Sequence, residues 1–133
     1  MSKSRAKGTA WETMIVNYLR EHGVPYAERR ALGGIQDRGD VAGIHRVVIE
    51  AKSAVRIDLA GWVDEAEAER KNDRADVGVA WVKRRGKTSP GAGYVIMTGE
   101  SLVRLLWAGG YIPEDPDLGS LDSGGTPPPE RSK

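Results

Sequence analysis

Residues 39–53 read GDVAGIHRVVIEAKS, the pattern of a β-hairpin whose second arm is a core strand. Asp40 to Ala42 form one arm, Gly43 to His45 the turn, and Arg46 to Lys52 the other arm. Val47, Val48 and Ile49 are β-branched, as a buried strand prefers. Side chains alternate along a strand, so Glu50 and Lys52 share one face while Ile49 and Ala51 share the other. Two charges near the end of an apolar strand cost several kcal/mol unless they are paired or bound to an ion. The hairpin also brings Asp40 across from Glu50. Two carboxylates, a backbone carbonyl such as that of Ala51, and waters make a site for a hard cation such as Mg²⁺. The neighbouring Lys52 ammonium can orient a water or stabilise charge developing on a phosphate.

The segments around this hairpin alternate between helix and strand. Trp11, Met14, Ile15, Tyr18 and Leu19 fall at helical spacing, which predicts a helix from Thr9 to Glu21. Thr9 and Glu12 have the form of a capping box, and Gly23 and Pro25 end the helix. A short strand is expected over Pro25 to Leu32, then the glycine-rich loop GGIQDRG (33–39). A second helix is expected over Asp58 to Arg74. Leu59, Trp62, Val63 and Ala66 form its apolar face, and Glu67 and Lys71 are spaced to pair. VGVAWV (77–82) is almost wholly apolar, as a central strand would be. Tyr94 to Met97 is another strand, and Glu100 to Ala108 a final helix stopped by Gly109 and Gly110. The order α-β-β-β-α-β-β-α implies an α/β fold, a mixed central sheet flanked by helices.

Composition narrows the chemistry. The 133 residues suit one domain. There are no cysteines, so disulfides, thiolate-ligated metals and thiol nucleophiles are excluded. With His22 and His45 the only histidines, a multi-histidine metal site is excluded too. Any metal must take oxygen ligands, which points to Mg²⁺, with Mn²⁺ able to substitute. No segment approaches the roughly 18 apolar residues of a membrane span. MSKSRAKG leads into no apolar stretch, so no secretory signal and a cytoplasmic location are expected. Residues 111–133 hold five acids and two bases, a charge of −3; with +1 overall, residues 1–110 carry +4. That Pro- and Gly-rich acidic stretch has no apolar period and is expected to be a disordered tail. The domain is then residues 1–110, opening with a basic arm over residues 1–8.

Asp40, with Glu50-Ala51-Lys52 ten residues on, resembles the motif of the PD-(D/E)xK nuclease superfamily, with Gly39-Asp40 in place of the PD. Within it the chain is most similar to archaeal-type Holliday junction resolvases, including a possible phage version. Those open with a basic segment and a helix bearing an early Glu, then strands with an Asp and an E-x-K-S. The matching stretches here are KSRAKGTAWE, Asp40 and EAKS, and the resemblance covers about residues 3–100. It implies a restriction-endonuclease-like core and a Mg²⁺-dependent hydrolase that cuts four-way DNA junctions in recombination and repair, usually as a homodimer. The implied catalytic residues are Glu12, Asp40, Glu50 and Lys52, and the implied metal ligands Asp40, Glu50, Ala51 and Glu12. The family often carries an Arg directly after the helix Glu, where this chain has Thr13.

Glu12 has two readings. On a helical wheel it lies near Leu19, at the edge of the apolar face, from which it could reach a site at the sheet end. It could equally complete the cap with Thr9. Three basic groups are candidate DNA contacts: Lys3, Arg5 and Lys7; Arg29 and Arg30, with Arg38 in the glycine-rich loop; and Lys83, Arg84, Arg85 and Lys87. In similar resolvases a loop at 33–39 helps form the catalytic site, which makes Gln36 and Asp37 further candidates. Another nuclease on the same core, or a non-catalytic DNA-binding module, are the competing functions. Trp62 and Trp81 are the large side chains to examine at a dimer interface.

Overall fold

The computed structural model of the protein describes residues 3–30 and 39–114. Helix α1 spans Lys3–Glu21 and is followed by strands β1 (Glu28–Arg29), β2 (Val41–Ala42) and β3 (Val47–Lys52). Helix α2 (Leu59–Asn72) leads to β4 (Val77–Val82), a 3₁₀ turn (Pro90–Ala92), β5 (Tyr94–Ile96) and α3 (Gly99–Ala108). The architecture is mixed α/β in the expected order, but the strands form two sheets, and β2 pairs with β1 rather than with β3 as the expected 40–52 hairpin required. β1 and β2 pair antiparallel as a two-stranded sheet. β3 and β4 pair parallel, and β5 pairs antiparallel with β4, so the second sheet is mixed.

Two local expectations fail at α1. Residues 3–8, expected as a basic arm, are the helix's first turns; Lys, Arg and Ala are all good helix formers. Thr9 therefore sits inside the helix, where its carbonyl accepts a bond from Thr13 Oγ1 (2.9 Å), and no capping box joins it to Glu12. The strand expected over Pro25–Leu32 is only two residues long. The tail beyond Glu114 and the loop residues Gln36, Asp37 and Arg38 lie outside the described residues.

The mixed sheet is covered on both faces, as a parallel pair requires. Trp11, Ile15 and Val16 of α1 pack on Ile49, Val77 and Val79. Trp62 of α2 packs against Ala80 and Val82 on the other face. α2 approaches β4 closely at Gly78, where an added Cβ would lie 2.7 Å from the Ala66 carbonyl oxygen. Asp58 caps α2 by accepting from Gly61 N (3.0 Å). The expected Glu67–Lys71 pair is replaced: Glu67 takes Arg70 Nε at 3.0 Å and the Ser101 hydroxyl at 3.0 Å, tying α2 to α3. Leu59, read as part of the apolar face, is exposed, while Glu69 and Arg70 are buried. Trp62 is core, and Trp81 is half-buried with its Nε1 donating to the Pro90 carbonyl (3.0 Å). Neither indole is an open interface anchor.

Gly39 sets the approach of Asp40 to β3. Its φ is +96°, and a Cβ there would meet Val48 Cγ1 at 2.8 Å and the Ile49 carbonyl oxygen at 3.0 Å. From this position Asp40 N donates to Ile49 O (2.8 Å) and Arg30 N to Asp40 O (2.8 Å), stitching β1, β2 and β3 together. Gly86 also has positive φ (+78°) but faces open space. Gly86→Ala should therefore cost about 1 kcal/mol in urea unfolding. Gly39→Ala should cost about 2 kcal/mol or more, because steric overlap adds to the backbone strain. Equal losses would mean that close packing against β3 does not govern this turn.

Candidate metal centre

β3 ends on the residues that carry charge. Its alternation turns Ile49 toward α1 and Glu50 toward α2, and Glu50 is only 6% exposed. Lys52 follows on the same face, with its Nζ 3.2 Å from Glu50 Oε1. The same ammonium lies 2.6 Å from Glu65 Oε2, contributed by α2. Asp40 reaches the strand from the other side, its Oδ2 accepting from Ala51 N at 2.7 Å. Asp40, Glu50, Ala51 and Lys52 thus meet at one end of β3.

Glu12 lies elsewhere in its bonding: its Oε2 accepts from Arg29 Nε at 2.9 Å. With the capping role excluded by the helix start, its partner is β1. Arg29, a candidate DNA contact, is accordingly held by Glu12, although its side chain remains 45% exposed. Such a partly exposed pair contributes about 0–1 kcal/mol.

α2 supplies two carboxylates that the sequence reading missed. Ligand atoms of Glu50, Glu65 and Glu69 all lie within 4.8 Å of one another; neither Asp40 nor Glu12 belongs to this group. Glu69 is buried, and its carboxyl lies close to that of Glu50. A signal for it was present: Trp62, Ala66 and Glu69 stand at i, i+4 and i+7, so Glu69 occupies a core-facing position. Glu65 is four residues before it, on the adjoining stripe.

Electrostatics follow from this burial. Desolvation raises the Glu50 pKa above the usual carboxylate range, outweighing the opposing influence of the neighbouring Glu69 carboxyl and the attraction of Lys52. Burial pushes Lys52 down, but its hydrogen bond to Glu65 and the charges of Glu50 and Glu65 prevail, and its pKa is raised. The Lys52 ammonium touches Glu50 and Glu65, and Glu69 lies close to both carboxylates. An all-oxygen donor set of this kind can hold a hard divalent cation.

The remaining basic candidates distribute unevenly. β3 and β4 run parallel with Lys52 opposite Val82, and Lys83 N donates to Lys52 O (2.9 Å). The exposed run Lys83, Arg84, Arg85 and Lys87 therefore leaves the sheet at the same edge as the carboxylate centre. The Arg84 guanidinium sits 5.3 Å from the centroid of the Tyr94 ring. Arg30 is bonded through its backbone to Asp40. Lys3, Arg5 and Lys7 lie along α1, and Lys7 is exposed. Compared with protein-family models, with curated proteins and with solved structures, the chain has no match.

The raised Glu50 pKa makes a signed prediction. Its proton is bound more tightly in the folded state, so this contribution is complete below the ordinary carboxylate range. It is lost as pH rises through the raised folded value. Asp76, held low by the hydrogen bond and charge of Arg46, acts in a separate window, losing its contribution as pH falls. Metal-free protein should thus lose stability as pH rises above the ordinary carboxylate range, relative to Glu50→Gln. Mg²⁺ or Mn²⁺ should restore more at the higher pH, because the cation needs the deprotonated carboxylate. Thermal melts in EDTA and in each metal give the comparison. A wild-type curve parallel to that of the variant would remove Glu50 as the titrating ligand.

Proposed function

We propose that this chain is a Mg²⁺-dependent DNA endonuclease on a restriction-endonuclease-like core, acting on four-way junctions as a Holliday junction resolvase. The observation that carries the reading is the meeting of Asp40, Glu50 and Lys52 at the end of β3, with Asp40 Oδ2 on Ala51 N (2.7 Å) and Lys52 Nζ 3.2 Å from Glu50. The helix–three-strand–helix–strand order and the resemblance of the Gly39-Asp40 and Glu50-Ala51-Lys52 motifs support the same class. The exposed basic run at that edge of the sheet suits a polyanionic substrate.

In this reading Asp40 and Glu50 are the principal cation ligands, with the Ala51 carbonyl and a carboxylate of α2 completing the set. A bound Mg²⁺ would supply Lewis-acid stabilisation of charge at the scissile phosphate. The protein's own part is to orient and to neutralise. Asp40 is held beside the end of β3 by the Ala51 amide. Lys52 exchanges its contact with the half-exposed Glu65 for the phosphate, and its charge then opposes the developing negative charge. Arg84 and its neighbours hold the flanking backbone. Resolution of a junction needs two strands cut, and one centre per chain makes a C2 homodimer the economical assembly.

The test is cleavage of a labelled four-way junction against a matched linear duplex, in Mg²⁺ and in EDTA. Junction cutting that requires the metal is expected; equal cutting of linear duplex would shift the reading to another nuclease on this core. Asp40→Asn and Glu50→Gln should abolish cutting and leave junction binding intact. Lys52→Ala should lower the rate at saturating DNA by about 10²–10³-fold, the worth of one preorganised charge at a reacting phosphate. Arg84→Ala should instead weaken binding and reduce its salt slope by about 1. Metal-dependent cutting by Asp40→Asn or Glu50→Gln at the wild-type rate would defeat the assignment.

A further inference from the structure

The loop that joins β3 to α2, residues 53–58 (SAVRID), presents apolar side chains to water beside the carboxylate centre. Val55 is 79% exposed, Ile57 60%, and Leu59, the first residue of α2, 52%. Burying such side chains is worth about 1.5–3 kcal/mol each, and here that gain is left unused. Neither end of the loop is loose. Lys52 O accepts from Lys83 N (2.9 Å), and Asp58 caps α2 through Gly61 N (3.0 Å). Arg56 stands exposed between Val55 and Ile57.

Position and charge identify the occupant. Three residues span at most about 11 Å, so Val55 lies within a few base steps of any phosphate at Lys52. Because β3 and β4 are parallel, this loop and the basic run Lys83–Lys87 leave the sheet at the same edge. A chain that crosses Lys52 therefore meets basic groups after β4 and an apolar tip after β3. Three side chains offer far less than the roughly 800 Å² per partner of a standard protein interface. They do match the small branched wedges that enter between base steps and unstack them. We propose that Val55 and Ile57 form such a wedge, pressing on a base next to the phosphate at Lys52 and unstacking it as DNA binds, while Arg56 contacts the backbone. This rests on the nuclease reading of the same site.

The experiment compares the full-length chain with Val55→Ser/Ile57→Ser. Both positions are exposed, so circular dichroism and melting should match wild type. On a fully paired junction carrying 2-aminopurine beside the cut position, wild type should raise the emission on binding in EDTA, and the variant should not. With Mg²⁺ the variant should cut that junction about 10-fold or more slowly, since unstacking a step carries a substantial cost. A junction with an unpaired base at the same position needs no unstacking and should be cut equally by both proteins. Equal emission and equal cutting of the paired junction would overturn the wedge while leaving the nuclease reading intact. A variant that changes sedimentation instead would make the loop a contact between copies and also overturn it. Failure of wild type to cut any junction would overturn the nuclease reading, and the wedge with it.

Discussion

Glu50 is a carboxylate almost wholly removed from water at the end of the sheet's first long strand. Leaving it ionised there costs several kcal/mol unless positive charge is close. The surrounding structure is arranged around that constraint. Lys52 is two residues on, so the pleat turns its ammonium to the same face. α2 lies over that face and brings Glu65 and Glu69 close to Glu50. A centre designed only for stability would have stopped at one lysine and one glutamate, or used apolar residues of similar volume. The three clustered carboxylates are what separate this arrangement from a simple ion pair, and such a group could hold a metal ion.

The fold delivers these groups by backbone geometry more than by side-chain reach. β3 pairs in parallel with β4 across six residues, with α2 as the crossover that covers the Glu50 face. Gly78 lets α2 sit against β4, since any Cβ would collide with the Ala66 carbonyl. Gly39 does the equivalent for Asp40 on the other side of β3. Two glycines at close approaches, one with positive φ, thus set the distances from which a carboxylate centre is assembled.

Much of this was legible in the chain. The β-branched run Val47–Ile49 marked β3, and its two-residue alternation paired Glu50 with Lys52 before any coordinates. The apolar period of Trp11, Ile15 and Leu19 marked α1, but its start was misread. Thr9 and Glu12 mimic a cap, whereas the helix begins six residues earlier, where Lys3, Arg5, Ala6 and Lys7 are good helix formers. The two-residue β1 was overestimated because a short edge pairing is set by its partner β2, not by local preference. Glu65 and Glu69 were missed for a related reason. A glutamate on a helix reads as solvated until the neighbouring strand is known to carry a buried carboxylate opposite it. Arg29 likewise read as free until β1 brought it to Glu12.

The parallel β3–β4 pair has one further consequence for how the ends of the sheet divide their work. In a parallel pair both strands release their following segments at the same edge, so whatever follows each strand is gathered there. After β3 come Lys52 and the exposed loop with Val55, Arg56 and Ile57. After β4 come Lys83, Arg84, Arg85 and Lys87. The opposite edge, where β4 begins, holds Arg46 and Asp76 locked in a 2.6 Å pair. The end after β4 leaves its cations exposed beside the carboxylate centre. An antiparallel β3–β4 hairpin of the same sequences would have put the basic run and Lys52 at opposite edges. Because they emerge together, the basic run, Lys52 and the loop all lie at one end of the sheet.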